Sequence, residues 1–294
     1  MRPVLASLLL LASASAAPAA EMLVTPAWLL AHQGDPNLVL LHVGVKAEFE
    51  AEHISGARFV APSDLSIPRA EGALILQLLP PEALRAKLES LGIGDDSRVV
   101  VYFGKDWVSP STRVWFSLDA AGLGDRTSLL DGGMPAWKKA GGPVTAEAPP
   151  PRPKGKITAA PRPELVADLD MVKANLGRPG VDIVDSRNPP FFDGTDAGAM
   201  PRAGHIPGAK SLPFDTLVTD DNLMKSEAQT AELFMAAGIK PGDTVVSYCH
   251  IGQQATLVYF AARRLGYTAR LYDGSWDEWS RRTELPVEKG AAAR

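Results

Sequence analysis

Short runs of β-branched and other apolar residues alternate along this chain with longer stretches in which apolar residues recur every three or four positions. In the second half this pattern predicts strands at Val181–Asp185, Thr244–Tyr248 and 269–272. It predicts helices over 168–176, 226–237 and 255–265. Pro241-Gly242 and Gly266 punctuate these elements. Such alternation argues for an α/β fold, a parallel sheet with helices on both faces and ligands outside the carboxyl ends of its strands.

The first half carries the same pattern, and the two halves match in detail. Leu91-Gly-Ile-Gly-Asp-Asp-Ser-Arg-Val-Val-Val-Tyr102 parallels Ala237-Gly-Ile-Lys-Pro-Gly-Asp-Thr-Val-Val-Ser-Tyr248. Glu52-His-Ile-Ser-Gly-Ala57 parallels Gly204-His-Ile-Pro-Gly-Ala209, and Leu130-Asp-Gly-Gly-Met-Pro-Ala-Trp137 parallels Tyr272-Asp-Gly-Ser-Trp-Asp-Glu-Trp279. Three blocks in the same order at near-constant offset mean a duplicated domain. Between the copies, prolines at 143, 149, 150, 151, 153, 161 and 163 mark a stiff surface linker. The expected organisation is a first domain over 21–147, a linker over 148–163 and a second domain over 164–288.

The repeat acts as an internal control on function. Features common to both copies need only be structural: His53 and His205 read as turn residues bonding the local backbone, Asp131 and Asp273 as turn formers. The second copy alone has Asp185 and Arg187, where the first has His42 and Gly44. It alone has a cysteine, Cys249, the only one in the chain, where the first copy has Phe103. Cys249 stands between a strand's carboxyl end and a helix's amino end, where unpaired backbone N–H groups and the helix dipole favour a thiolate. The His250-Ile-Gly-Gln-Gln254 stretch that follows is loop-like and polar, so the thiol is expected at a solvent-facing mouth rather than in the core.

The chain has 294 residues and a net charge of −4, with no basic block or aromatic-basic patch, which argues against nucleic acid as a partner. Arg2, an apolar run over 4–12 and a small-residue exit before Glu21 have the form of a secretory signal peptide over 1–20. The run is too short to cross a bilayer, so the expected mature protein is periplasmic or secreted, with no membrane attachment once the leader is removed. A single cysteine in an exported chain forms no internal disulfide and is left for chemistry or for intermolecular pairing. The five histidines and one cysteine show no metal-ligand spacing, and no glycine-rich phosphate loop is present, so neither metal nor organic cofactor is implied.

Taken together, these motifs resemble the tandem-domain rhodaneses, a sulfurtransferase family, from about Met22 to Pro286. The closing Ala269-Arg-Leu-Tyr-Asp-Gly-Ser-Trp-Asp-Glu-Trp279, the His205-Ile-Pro-Gly-Ala209 turn, Asp185-Ser-Arg187 and the strand-end cysteine carry the likeness. The resemblance implies two tandem domains of which only the second is catalytic, and a persulfide on Cys249 that passes sulfur from a small anionic donor such as thiosulfate to cyanide or a thiol. The alternatives are a 3-mercaptopyruvate sulfurtransferase, or a non-enzymatic persulfide carrier or redox-sensing thiol protein. The expected substrate contacts are Arg187, for which a structural ion pair with a nearby acid is the alternative, Arg202, His250, Gly252, Gln253 and Gln254, with loop amides from His250 to Ala255 forming an anion nest and Gly252 permitting its curl. Asp185, His205 and Asp273 are expected to be structural. The chain departs from the family at Phe191, where an anion-gripping arginine is usual, and Arg202 on the same long loop is the candidate replacement. Phosphatases of this fold need an arginine that ends a longer loop; position 255 is alanine.

Overall fold

The computed structural model describes residues 21–105 and 107–290; the leader read at 1–20 lies outside them. The first half contributes strands β1 (Leu23–Val24), β2 (Leu38–Val43), β3 (His53–Ile54), β4 (Arg58–Phe59), β5 (Arg98–Phe103), β6 (Thr127–Leu130) and β7 (Val144–Thr145). The second contributes β8 (Val166–Ala167), β9 (Val181–Asp185), β10 (Lys210–Ser211), β11 (Thr244–Tyr248) and β12 (Thr268–Tyr272). Five strands of each half form an all-parallel sheet, in the orders β1-β6-β5-β2-β4 and β8-β12-β11-β9-β10. The two orders are the same topology, as the sequence repeat requires.

Near-continuous apolar runs make the central strands. β2 is buried at every position and β5 at all but its first, as expected of a parallel sheet covered on both faces. Alternate residues serve opposite layers: Val99 and Val101 pack in one cluster, Val100 and Tyr102 in the other. The covering helices are α1 (Pro26–His32), α2 (Lys46–Ala51), α3 (Pro81–Ser90), α4 (Ser109–Ala120) and α5 (Gly133–Lys139) in the first half. Their counterparts are α6 (Leu169–Ala174), α7 (Pro189–Asp193), α8 (Glu227–Ala236), α9 (Ala255–Arg264) and α10 (Ser275–Arg281). The predicted helices 168–176, 226–237 and 255–265 correspond to α6, α8 and α9, shorter by one to three residues where caps and last turns leave the ladder.

The halves share one core. Helices α4 and α9 are buried on nearly every side and pack against each other, with Thr112 Oγ1 and Thr256 Oγ1 2.8 Å apart. Trp115 meets Phe260 edge-on at 4.9 Å, and Phe116 meets Tyr259 at 5.0 Å. Buried Asp119 accepts from Tyr259 Oη at 2.7 Å and from Arg162 Nη1 at 2.9 Å, and also pairs with Arg263.

One expectation needs correction here. Asp131 and Asp273 are not merely local turn formers. Asp131 Oδ1 accepts from Met224 N of the opposite half at 2.9 Å, and Asp273 Oδ2 accepts from Leu78 N at 2.8 Å, a reciprocal clasp across the interface. The proline-rich stretch, expected as a stiff surface linker, lies against the first half: Arg152 Nη1 donates to Leu38 O at 2.6 Å, Gly155 N to Glu89 O at 2.9 Å, and Ile157 is buried in the core. Its fixed-φ prolines hold it extended, while the residues between them supply the bonds.

Candidate active site

Cys249 is the first residue after β11, at the carboxyl edge of the second sheet. Its thiol does not face solvent as expected; the residue is 0 % exposed and groups with Val184, Val245 and Ala255 in the interface core. The polar residues after it form a partly exposed cover instead, because His250, Ile251, Gln253 and Gln254 are half-buried while Gly252 and Ala255 turn in.

The loop curls at Gly252, whose φ of +76° favours glycine. A Cβ there would lie 3.1 Å from Asp273 O and 3.3 Å from Arg113 Nη1. Its carbonyls are held from outside: Cys249 O by Trp276 N at 2.9 Å, His250 O by Asp277 N at 2.8 Å, and Gly252 O by Arg113 Nη1 at 3.2 Å. Gln253 O and Gln254 O accept from Thr256 N at 3.1 Å and Leu257 N at 3.0 Å, inside the first turn of α9. In a trans peptide the next N–H points away from the carbonyl. Among the described residues, the amides of 250–255 have no protein acceptor. A run of unclaimed N–H groups at the amino end of a helix is a site for negative charge. Cys249 N itself donates to Ser275 Oγ at 3.3 Å, and Ser275, at φ +51°, donates to Tyr272 O at 2.9 Å.

The side chains expected around the thiol divide sharply. His250 stands beside Phe191, ring edge to face at 4.5 Å. Burial, then the nearby Arg187 charge, lowers its pKa, so the ring is neutral at pH 7. Gln254 Oε1 is buried without a protein partner. Of the two readings of Arg187, substrate contact or structural ion pair with a nearby acid, the geometry matches the second. Its Nε and Nη2 fork onto Asp185 Oδ1 and Oδ2 at 2.9 and 2.6 Å, and Nη2 also donates to Gly204 O at 2.7 Å. Its guanidinium carbon lies 4.6 Å from the Trp276 ring centre and 5.8 Å from that of Tyr248. Arg202 is a correction. Its guanidinium binds the carbonyls of Trp279, Ser280, Arg282 and Leu285 at 2.7 to 3.0 Å, closing the carboxyl end of α10.

His205 Nδ1 lies 2.8 Å from Phe192 O with the two rings stacked at 3.7 Å; His53 repeats this with Phe49 O at 2.6 Å and a 4.0 Å stack. Tyr248 and Tyr102 each accept from the isoleucine N–H of the adjacent turn at 3.1 Å. Two residues that shape the loop escaped the sequence reading. Ser275 lay inside a recognised motif, but its positive φ carried no sequence signal. Arg113 belongs to the opposite half, and no local pattern links it to Cys249. Among the described residues no cluster of three His, Cys, Asp or Glu side chains is placed to hold a metal ion.

A family model of the rhodanese-like domain matches residues 25–140 and again 168–282. The chain belongs to the rhodanese family. This rhodanese is 34% identical over 280 residues to a probable 3-mercaptopyruvate sulfurtransferase of Pseudomonas aeruginosa, covering 91% of this chain and 98% of the relative. It is 31% identical over 271 residues to a thiosulfate sulfurtransferase of Azotobacter vinelandii, covering 91% and 97%. Its fold superposes on the crystal structure of YnjE with a TM-score of 0.80 at 27% identity, over 92% of this chain and 68% of that one. As a tandem rhodanese it has its one cysteine at the strand end of the second domain, and phenylalanine at the matching point of the first.

Proposed function

We propose that the protein is a sulfurtransferase that carries sulfane sulfur on Cys249 between an anionic donor and a nucleophilic acceptor. The Cys249 thiolate attacks the outer sulfur of the donor. With thiosulfate, the donor's S–S bond breaks, sulfite leaves with the electron pair, and a Cys–S–S⁻ persulfide forms. Cyanide or a thiolate then attacks the outer persulfide sulfur and the Cys249 thiolate departs. Sulfur has two leaving groups in turn, which divides one transfer into two easier displacements.

The observation that carries this reading is the loop itself, a lone cysteine at its root and amides 250–255 without acceptors among the described residues. Such donors stabilise charge on a terminal sulfur without reorganising. The sulfurtransferase relatives support the reaction class. With phenylalanine at 191 and both Arg187 and Arg202 committed elsewhere, we assign the donor's anionic end to main-chain amides, with His250, Gln253 and Gln254 at the entrance. The form of the leader, Arg2 followed by the apolar run 4–12, supports export to the periplasm or beyond; an exported protein that begins near Glu21 by amino-terminal sequencing tests it.

Incubation with thiosulfate and cyanide is expected to release thiocyanate catalytically, and Cys249→Ser to abolish it. Mass spectrometry after thiosulfate alone is expected to find about 32 Da added at Cys249. One equivalent of persulfide without turnover would replace the enzyme with a carrier. No added sulfur with any of a panel of donors would overturn the proposal.

A further inference from the structure

The half without a cysteine sends one charged group into the catalytic loop. Arg113, on α4, is fully buried, and its Nη1 donates to Gly252 O at 3.2 Å. The same nitrogen lies 2.8 Å from Asp273 Oδ1, yet that oxygen has no aligned hydrogen bond, so the carboxylate contributes charge while the N–H direction is given to the loop. Arg113 Nη2 donates to Leu76 O, and Asp273 Oδ2 is held by Leu78 N at 2.8 Å. The carboxylate beside Arg113 is therefore itself fixed.

The duplicated fold supplies a comparison within one molecule. Counting from the matched Tyr102 and Tyr248, the loops that follow have equal length, so Arg113 corresponds to Tyr259 on α9. Asp131, the counterpart of Asp273, keeps the amide half of the clasp through Met224 N at 2.9 Å, but has no ion pair among the described residues. Among the described residues, an arginine pairs with the clasp aspartate only at the copy of the interface that borders the cysteine loop. Buried ion pairs are weak sources of net stability and are better understood as fixing one geometry.

We propose that Arg113 is a positioning residue for sulfur transfer: by holding Gly252 O it sets the Gly252–Gln253 peptide plane, and so aims the Gln253 N–H at the anion bound by the loop. Planarity of the peptide makes the two ends of that unit turn together. Gly252 is required because a side chain there would crowd both Arg113 and Asp273. The proposal rests on the sulfurtransferase reading and adds to it a residue outside the catalytic domain.

The test is the charge-balanced double variant Arg113→Met/Asp273→Asn, in which the side-chain amide oxygen introduced at position 273 still accepts from Leu78 N. Its expected behaviour is a near-native unfolding midpoint and a drop of about 10²-fold in kcat/KM for thiosulfate, the scale of a misplaced catalytic group. Inhibition by sulfate, a non-reacting anion, weakens in parallel. Tyr259→Phe, which loosens the same interface away from the loop, keeps wild-type kinetics. If the double variant does not fold, Arg113→Lys, a point charge without the fork, is read in the same assays and is expected to lose about tenfold. A folded variant with wild-type kcat/KM and wild-type sulfate inhibition overturns the proposal. If the wild type forms neither persulfide nor thiocyanate, the sulfurtransferase reading fails instead, while sulfate binding still decides the role of Arg113.

Discussion

Replacing Arg202 by methionine separates a substrate arginine from a structural one. Methionine keeps the apolar stem and removes every donor. In the structure those donors hold four carbonyls at the end of α10 and the turn beyond it, at 2.7 to 3.0 Å. A hydrogen bond from a charged donor contributes about 1.5–3 kcal/mol when its partner is left without water. Arg202 is only partly buried, so the carbonyls recover solvent and the summed loss is about 2–4 kcal/mol. For a chain of this size each kcal/mol moves the midpoint by about 2–4 °C, so the expected drop is about 5–15 °C. Thermal unfolding by circular dichroism reads that quantity, and initial rates over a thiosulfate series read the other. The Michaelis constant is expected to be unchanged at a temperature where the variant is folded. A tenfold rise in that constant with an unchanged midpoint would refute the assignment and return Arg202 to the substrate.

Two further outcomes follow from particular side chains. Burial, then the charge of His53, lowers His42 from the usual 6.5 to about 4, so between those values the unfolded chain takes up a proton that the folded chain resists. Stability therefore falls as pH drops through that window, by about 1.4 kcal/mol per unit and about 3 kcal/mol in all. The difference between wild type and His42→Gln in denaturant titrations from pH 7 to 4 reads it, and parallel curves would count against it. Phe191→Arg places a guanidinium beside His250 at the loop entrance and is expected to lower the Michaelis constant for thiosulfate about tenfold, on the scale of a charged hydrogen bond. No change would mean that position 191 does not face the donor.

The sheet and its helices were legible because strands buried on both faces need largely apolar, β-branched runs, and Ile183-Val184 within Val181–Asp185 and Val245-Val246 within Thr244–Tyr248 supply them. The duplication was legible because three motifs recur in order. Cys249 stood out by being absent from the first copy. Arg202 was misread because sequence shows a charge but not what it touches: carbonyls released at the end of α10 claim it first, whereas the ion pair of Arg187 with an acid two residues away was one of its two readings. The clasp aspartates looked like turn formers because their partners, Leu78 and Met224, lie in the other half of the chain. The cover over Cys249 escaped notice for a related reason. Polar loop residues read as solvent-facing, and only the packing of α4 against α9 shows that the thiol beneath them is sealed.

That seal sets a condition on every catalytic cycle. A sulfur atom with no accessible surface meets no second molecule until something above it moves aside. Loading and unloading thus each demand a transient opening, and a stored sulfane atom sits protected from stray oxidants and reductants in the interval.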